Sequence, residues 1–95
     1  LQAVLGIAVE ESFNCISVEG HTSTNDTVLL LAGGDPDRPA LCGPDLLAFG
    51  RMVQDACLDL ARMIPDDGEG ATHRIEVRVE GATDREEART IARAV

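Results

Sequence analysis

Tryptophan and tyrosine are absent from this 95-residue sequence, and Phe13 and Phe49 are its only aromatic residues. A platform for stacking bases or sugar rings is therefore missing, and a bound molecule must be held by polar groups. Positive charge is scarce as well: eight basic residues stand against 17 acidic ones, for a net charge of -9. That balance repels phosphate backbones and anionic lipid surfaces, so neither nucleic acid nor a membrane is an expected partner. An amine-bearing small molecule suits it better. Cysteine is limited to Cys15, Cys42 and Cys57, an odd number with no metal-ligand spacing, which excludes a disulfide framework and a structural zinc site and points to a reducing, cytoplasmic setting. No apolar run is long enough to cross a bilayer, and residues 1–9 lack the basic start and cleavage pattern of a signal peptide.

What is present is 44% hydrophobic residues, enough for one small packed domain. Leu1, Val4, Leu5, Ala8 and Val9 recur at helical spacing, with Phe13 beyond, and predict a helix over residues 1–13. From Cys15 the period becomes two. Ile16 and Val18 alternate with Ser17 and Glu19 as in a half-buried strand closed by Gly20. Seven polar residues, 21–27, lead to the unbroken apolar run 28–32, whose composition suggests a strand covered on both faces. If the polar heptad turns back as a hairpin, the two strands pair antiparallel. After the breaker-rich loop 35–39, Gly43-Pro44-Asp45 has the form of a helix start, and Leu46, Phe49, Val53, Ala56, Cys57, Leu60, Met63 and Ile64 mark the apolar face of a long helix that Pro65 and Gly68 stop. Arg51, Gln54, Asp55, Asp59 and Arg62 take its outer face, and Met52 and Met63 are expected as core filler.

Residues 74–80 alternate without a break. Ile75, Val77 and Val79 point inward, while Arg74, Glu76, Arg78 and Glu80 form a solvated face or cross-strand pairs. After Gly81, Thr83 and Glu86 have capping-box spacing, followed by the helical stripe Ala88, Ile91, Ala92 and Val95. The expected fold class is α/β, layered, in the order α-β-β-α-β-α. The first helix begins without an N-cap and the last stops with its stripe still running, so residues 1–95 are expected to be the central portion of a larger chain, not an independent complete domain.

One stretch does not read as framework. Residues 66–73, Asp-Asp-Gly-Glu-Gly-Ala-Thr-His, join the long helix to the alternating run. Gly68 and Gly70 are expected to take positive φ and to leave room for a close approach to Glu69, as a carboxylate needs in order to receive an ammonium. Spacing alone favours the plainer reading, in which Gly68 ends a helix and Glu69 is solvated. The polar heptad is likewise explained by a turn whose side chains bond their own backbone, with a polar cleft as the functional alternative. His21 and His73 form no triad or metal spacing, Gly68-x-Gly70 is too acidic to cradle phosphate, and the acidic loop is shorter than an EF-hand. From the residues alone there is no catalytic group to name, no metal site and no cofactor.

Several runs taken together resemble a known family. Ser12-Phe13-Asn14, Ile16-Ser17-Val18, residues 22–32 from Thr22 to Ala32, residues 67–72 from Asp67 to Thr72 and residues 75–82 from Ile75 to Ala82 are similar, in order and spacing, to the ArgJ family of ornithine acetyltransferases, or bifunctional glutamate N-acetyltransferases, of arginine biosynthesis. The resemblance implies a layered fold of the DmpA/ArgJ, N-terminal-nucleophile type, with these residues inside the β chain. It implies acetyl transfer from N2-acetylornithine to glutamate, and possible use of acetyl-CoA, through a threonine that self-cleavage frees and that lies upstream of Leu1. A threonine in that position can use its own α-amine as base. It further implies an α chain from the same precursor, a heterotetramer of two α and two β chains, and Glu69 as the substrate-binding carboxylate. Thr24, Asn25 and Thr27 gain by association as cleft-lining residues. Three positions depart from the family pattern: His73 stands where lysine is usual, His21 where an acid is common and Cys15 where arginine is common.

Two other functions fit the residues less well. An N-terminal-nucleophile aminopeptidase or amidase would hydrolyse where this family transfers. A non-catalytic acidic module would bind a partner and fold alone.

Overall fold

The computed structural model describes residues 1–18, 20–21 and 23–95. Glu19 and Thr22, the end of the first expected alternation and the second residue of the polar heptad, lie outside the described residues. Three α-helices and one 3-10 turn form, in the order α1 (Gln2–Glu10), the turn Phe13–Cys15, α2 (Gly43–Asp66) and α3 (Arg85–Arg93).

The first helix is shorter than its apolar pattern. Leu1 caps it without a side-chain bond, and Glu11 closes it by donating its N–H to the Ile7 carbonyl at 3.2 Å. Ser12 then turns back, its hydroxyl donating to the Ala8 carbonyl at 2.5 Å from a buried position. The chain tightens into the 3-10 turn, with Cys15 N–H donating to Ser12 O at 2.9 Å. Cys15 therefore belongs to this turn and not to the start of a strand. The reversal comes at Gly20, φ +73°, beside a single antiparallel bridge between Val18 and His21.

Proline in the first turn and Asp45 near the positive end of the dipole start α2. Pro65 does not stop it. The helix runs one residue further, because a proline in the last turn forfeits one carbonyl's donor without breaking the turns before it. Val53, Cys57 and Ala61, four residues apart, are the buried side chains of α2. Val53 and Cys57 meet Ala8 of α1, which is 1% exposed, and Val4, Leu5, Phe13, Leu30 and Phe49 pack around them. Burying one such aliphatic side chain contributes roughly 1.5–3 kcal/mol, so this core is small. Gln54, expected on the outer face, instead donates to the Glu11 carboxylate and ties α2 to α1. Leu46, Ala56, Leu60, Met63 and Ile64, expected inside, are exposed, as is Met52.

The layered α/β architecture is not what forms: among the described residues there is no sheet. No backbone-to-backbone hydrogen bond engages the described residues of 23–34 or those of 72–82. Within 28–32, Leu30 packs on the core while Leu29 and Leu31 stay exposed, so this run is covered on one face and not on both. In 74–80, Ile75 is 84% exposed. The physical reason is that a helix satisfies its backbone groups internally, whereas an alternating run becomes a strand only beside a partner. Alternation specifies which face is apolar, not which segment supplies the ladder.

Candidate functional site

The acidic loop begins where α2 ends. Asp67 caps the helix, its N–H donating to Met63 O at 3.1 Å. A four-residue turn follows at 68–71, closed by Ala71 N–H donating to Gly68 O at 3.0 Å. Its third residue, Gly70, has φ +77°, the value a type II turn demands at that position and one that favours glycine. Glu69 occupies the second position, at the tip, and its side chain projects from the turn into solvent. Gly68 serves differently from expectation. It has no positive φ, but a Cβ there would lie 3.3 Å from the Pro65 carbonyl oxygen and 3.4 Å from Ala71 Cβ. Close backbone approach, not handedness, selects glycine at 68.

The base of the loop is stapled by Arg74, which donates to Asp66 at 2.6 Å across eight residues. Both side chains are half exposed, so the pair contributes at most about 1 kcal/mol. Its main effect is on charge: Asp66 is paired, whereas Asp67 and Glu69 make no ion pair among the described residues. His73 Nδ1 lies 3.0 Å from Thr72 Oγ1.

A cleft of about 960 Å³ opens beside this loop. Thr27, Asp66 and Asp67 supply its polar lining, and Phe13, Leu29, Leu60 and Met63 are among its apolar lining. Of the residues singled out in the sequence, Thr27 lines this cleft. Thr24, Asn25 and Glu69 do not. Ser23 and Asn25 instead hold a local turn, the Asn25 N–H donating to Ser23 Oγ at 3.4 Å, which is the plainer of the two readings of the polar heptad. Glu69 stands two residues beyond Asp67, outside both the cleft and a second cavity described next.

The second cavity, about 510 Å³, lies among α3, residues 75–79 and residues 14–17 with Gly20. Ile75, Val77 and Val79 line it together with Ala88 and Ala92, but Ile75 and Val77 are exposed there, so the inward face expected of the alternating run is not buried. Sequence reasoning missed what holds α3 in place. Arg89 donates to the Glu10 carboxylate at 3.0 Å and to the Glu10 carbonyl at 2.9 Å. Arg85 donates to the Glu11 carboxylate at 2.7 Å and to the same Glu10 carbonyl at 3.3 Å. Two cations thus meet the negative end of α1 and one of its orphan carbonyls. The hydrogen bond from Arg89, then that from Asn14, holds the Glu10 carboxyl below its ordinary value, and Glu10 in turn raises Arg89. The i, i+4 spacing of Arg85 and Arg89 was the available signal.

The start of α3 also differs in register from expectation. Asp84, not Thr83, is the N-cap, accepting from Glu87 N–H at 2.9 Å. Glu87, not Glu86, reaches back to Thr83, accepting from its N–H at 2.7 Å and its hydroxyl at 2.6 Å. These bonds lower the Glu87 carboxyl below its ordinary value, the hydroxyl contributing most. The sequence Thr-Asp-Arg-Glu-Glu holds two overlapping capping boxes, and the stronger acceptor, Asp, takes the cap.

Among the described residues no three His, Cys, Asp or Glu side chains gather where they could hold a metal ion, and no helix is long and apolar enough to cross a membrane. The model of the ArgJ family matches residues 1–95. Curated relatives include the "Arginine biosynthesis bifunctional protein ArgJ" of Bifidobacterium longum, 48% identical over 95 residues that make up 100% of this chain and 23% of that protein. The protein of the same name from Dehalococcoides mccartyi is 43% identical over 97 residues, covering 100% of this chain and 24% of its own length. That of Parasynechococcus marenigrum is 48% identical over 94 residues, or 99% and 22%. This chain thus spans about a quarter of the length of the curated relatives it matches. No solved structure matches it.

Proposed function

The chain belongs to the ArgJ family, and from that premise we propose that the protein carrying it is an acetyltransferase of arginine biosynthesis that moves the acetyl group of N2-acetylornithine to glutamate. The observation that carries this reading is a family match that spans the whole chain, with relatives named for arginine biosynthesis at 43–48% identity. The nucleophile is a threonine outside these residues. Its hydroxyl attacks the acetyl carbonyl, the amide C–N bond breaks, and ornithine leaves with the proton on its α-nitrogen. Glutamate's α-amine then attacks the acetyl ester, and the threonine hydroxyl is restored. Acetyl-CoA is a second donor in the bifunctional form of the reaction. An α chain from the same precursor, a pair of each chain in the assembly and a cytoplasmic location complete the proposal. The many exposed apolar side chains, Leu29, Leu31 and Ile75 among them, support an assembly in which further chain covers this one.

Within this segment Glu69 is the substrate-binding carboxylate, receiving an ammonium of the amino-acid substrate. The family match is what supports the role; Glu69 itself stands at the tip of its turn, outside both cavities and in no ion pair among the described residues. Thr27, in the lining of the neighbouring cleft, is the member of the polar run best placed to shape the binding region. A charge-assisted hydrogen bond to an ammonium contributes about 1.5–3 kcal/mol, which corresponds to roughly 10- to 150-fold in affinity. Glu69→Gln in the full-length enzyme is accordingly expected to raise KM for N2-acetylornithine by about that factor while chain cleavage proceeds. Steady-state transfer kinetics, with gel analysis of processing, make the test. An unchanged KM removes Glu69 from the site, and acetate release without acetylglutamate makes the protein a hydrolase instead.

A further inference from the structure

Positive charge is rare in this chain and unevenly placed. Of its eight basic residues, Arg85, Arg89 and Arg93 line the cavity of about 510 Å³, and among the described residues no Asp or Glu lines it with them. Steps of four put all three on one side of α3. Two are engaged: Arg85 and Arg89 hold the carboxylates of Glu11 and Glu10 at the end of α1. Arg93 makes no ion pair among the described residues. Three guanidinium groups set against two carboxylates leave one positive charge uncompensated, in a protein whose net charge is -9. The wall across from α3 is apolar, made by Ile75, Val77 and Val79, and from the 14–17 wall Ser17 brings a hydroxyl.

We propose that this cavity is a binding site for a small aliphatic monocarboxylate, whose carboxylate Arg93 receives and whose hydrocarbon lies along Ile75, Val77 and Val79. A planar guanidinium matches the two oxygens of a carboxylate. One uncompensated cation calls for one negative charge, and branched aliphatic side chains take methylene groups out of water. Inorganic phosphate carries more charge and no hydrocarbon, so it fits less well. Arg85 and Arg89 are positioning residues: by binding α1 they fix the helix that presents Arg93. Glu69 does not line this cavity, so the site stands whether or not Glu69 binds the amino-acid substrate. The plainer role of Arg93 is to offset the negative end of the α3 dipole from the last turn. That role needs a charge and no ligand.

Ligand-observed NMR titration of the full-length protein with butyrate, hexanoate and inorganic phosphate tests this. Hexanoate is expected to bind saturably and about 4- to 16-fold more tightly than butyrate, from roughly two- to fourfold per added methylene, with phosphate the weakest of the three. Arg93→Gln is expected to weaken hexanoate binding by about tenfold or more. Arg38→Gln, at an exposed arginine paired with Asp35, is expected to leave it unchanged. Ala92→Leu fills the cavity without altering charge and is expected to weaken hexanoate more than butyrate. The proposal is overturned by an absence of saturable binding, by hexanoate no tighter than butyrate, or by phosphate tighter than either. It is equally overturned if Arg93→Gln or Ala92→Leu binds hexanoate as the wild type does; a lowered Tm in Arg93→Gln with wild-type binding leaves that residue its dipole role alone.

Discussion

The conformation of Gly70 gives the sharpest handle on the acidic loop. At φ +77°, a residue with a Cβ suffers about 1–2 kcal/mol of strain, while reduced freedom in the unfolded chain returns roughly 0.4–1 kcal/mol. No atom lies within 4 Å of where that Cβ would be, so the cost is purely conformational and any clash can be set aside. Gly70→Ala should therefore lower global stability by between about 0 and about 1.6 kcal/mol, a small shift in Tm. The same strain acts fully on the local balance between the type II turn and its alternatives, where 1–2 kcal/mol corresponds to about 5–30-fold in population. If the turn sets the aim of Glu69, KM for N2-acetylornithine rises by up to that factor. Gly70→Asn should stay near wild type, since asparagine tolerates this region, and Gly70→Val should be the most impaired. Transfer kinetics on the three variants, each with a thermal melt, decide the matter. Wild-type KM in Gly70→Val, at unchanged Tm, would refute the reasoning.

Four further outcomes follow from the packing and the caps. Cys57→Ser, which places a hydroxyl in a buried apolar position, should destabilise by about 1–3 kcal/mol where Cys57→Ala costs less, measured by denaturant unfolding. In the native protein a thiol-specific reagent should leave the Cys57 peptide unlabelled until unfolding, as read by mass spectrometry. Asp84→Ala removes the acceptor of the Glu87 N–H and should cost about 1 kcal/mol, seen as faster amide exchange at the start of α3 with α2 unaffected. Glu87 has a depressed carboxyl, so its contribution is present above the ordinary glutamate range and is lost as pH falls through the lower, folded-state value. Acid titration followed by NMR should show the first turn of α3 loosening below that range, and Thr83→Val should move the Glu87 midpoint upward. An unmoved midpoint would mean the hydroxyl is not its partner.

The helices were legible because their information is local. The stripe through Val4, Leu5 and Ala8, the proline and acid that open α2, and the capping residues before α3 each act within one or two turns of the chain. Errors in them are errors of register: α1 ends at Glu10 because Ser12 turns back onto Ala8, and the cap slips by one residue from Thr83 to Asp84. In the run 74–80, Ile75, Val77 and Val79 share one cavity wall, but the run joins no sheet and Ile75 and Val77 stay exposed, so neither the strand nor its buried face forms. Similarly, Gly70 was rightly expected to need positive φ, while Gly68 is glycine for want of space beside the Pro65 carbonyl.

The sequence by itself determined which segments are helical, which faces are apolar, where the acidic loop lies and to which family the chain belongs, all properties carried by neighbours in the chain or by residue identity in order. The tertiary structure alone decided that 28–32 and 74–80 remain unpaired, that Thr27 and not Thr24 or Asn25 reaches the cleft, and that Arg85 and Arg89 reach back more than seventy positions to the end of α1. Those outcomes depend on which distant groups come within a few ångströms of one another, and residue patterning fixes the direction a side chain faces without fixing what stands opposite it.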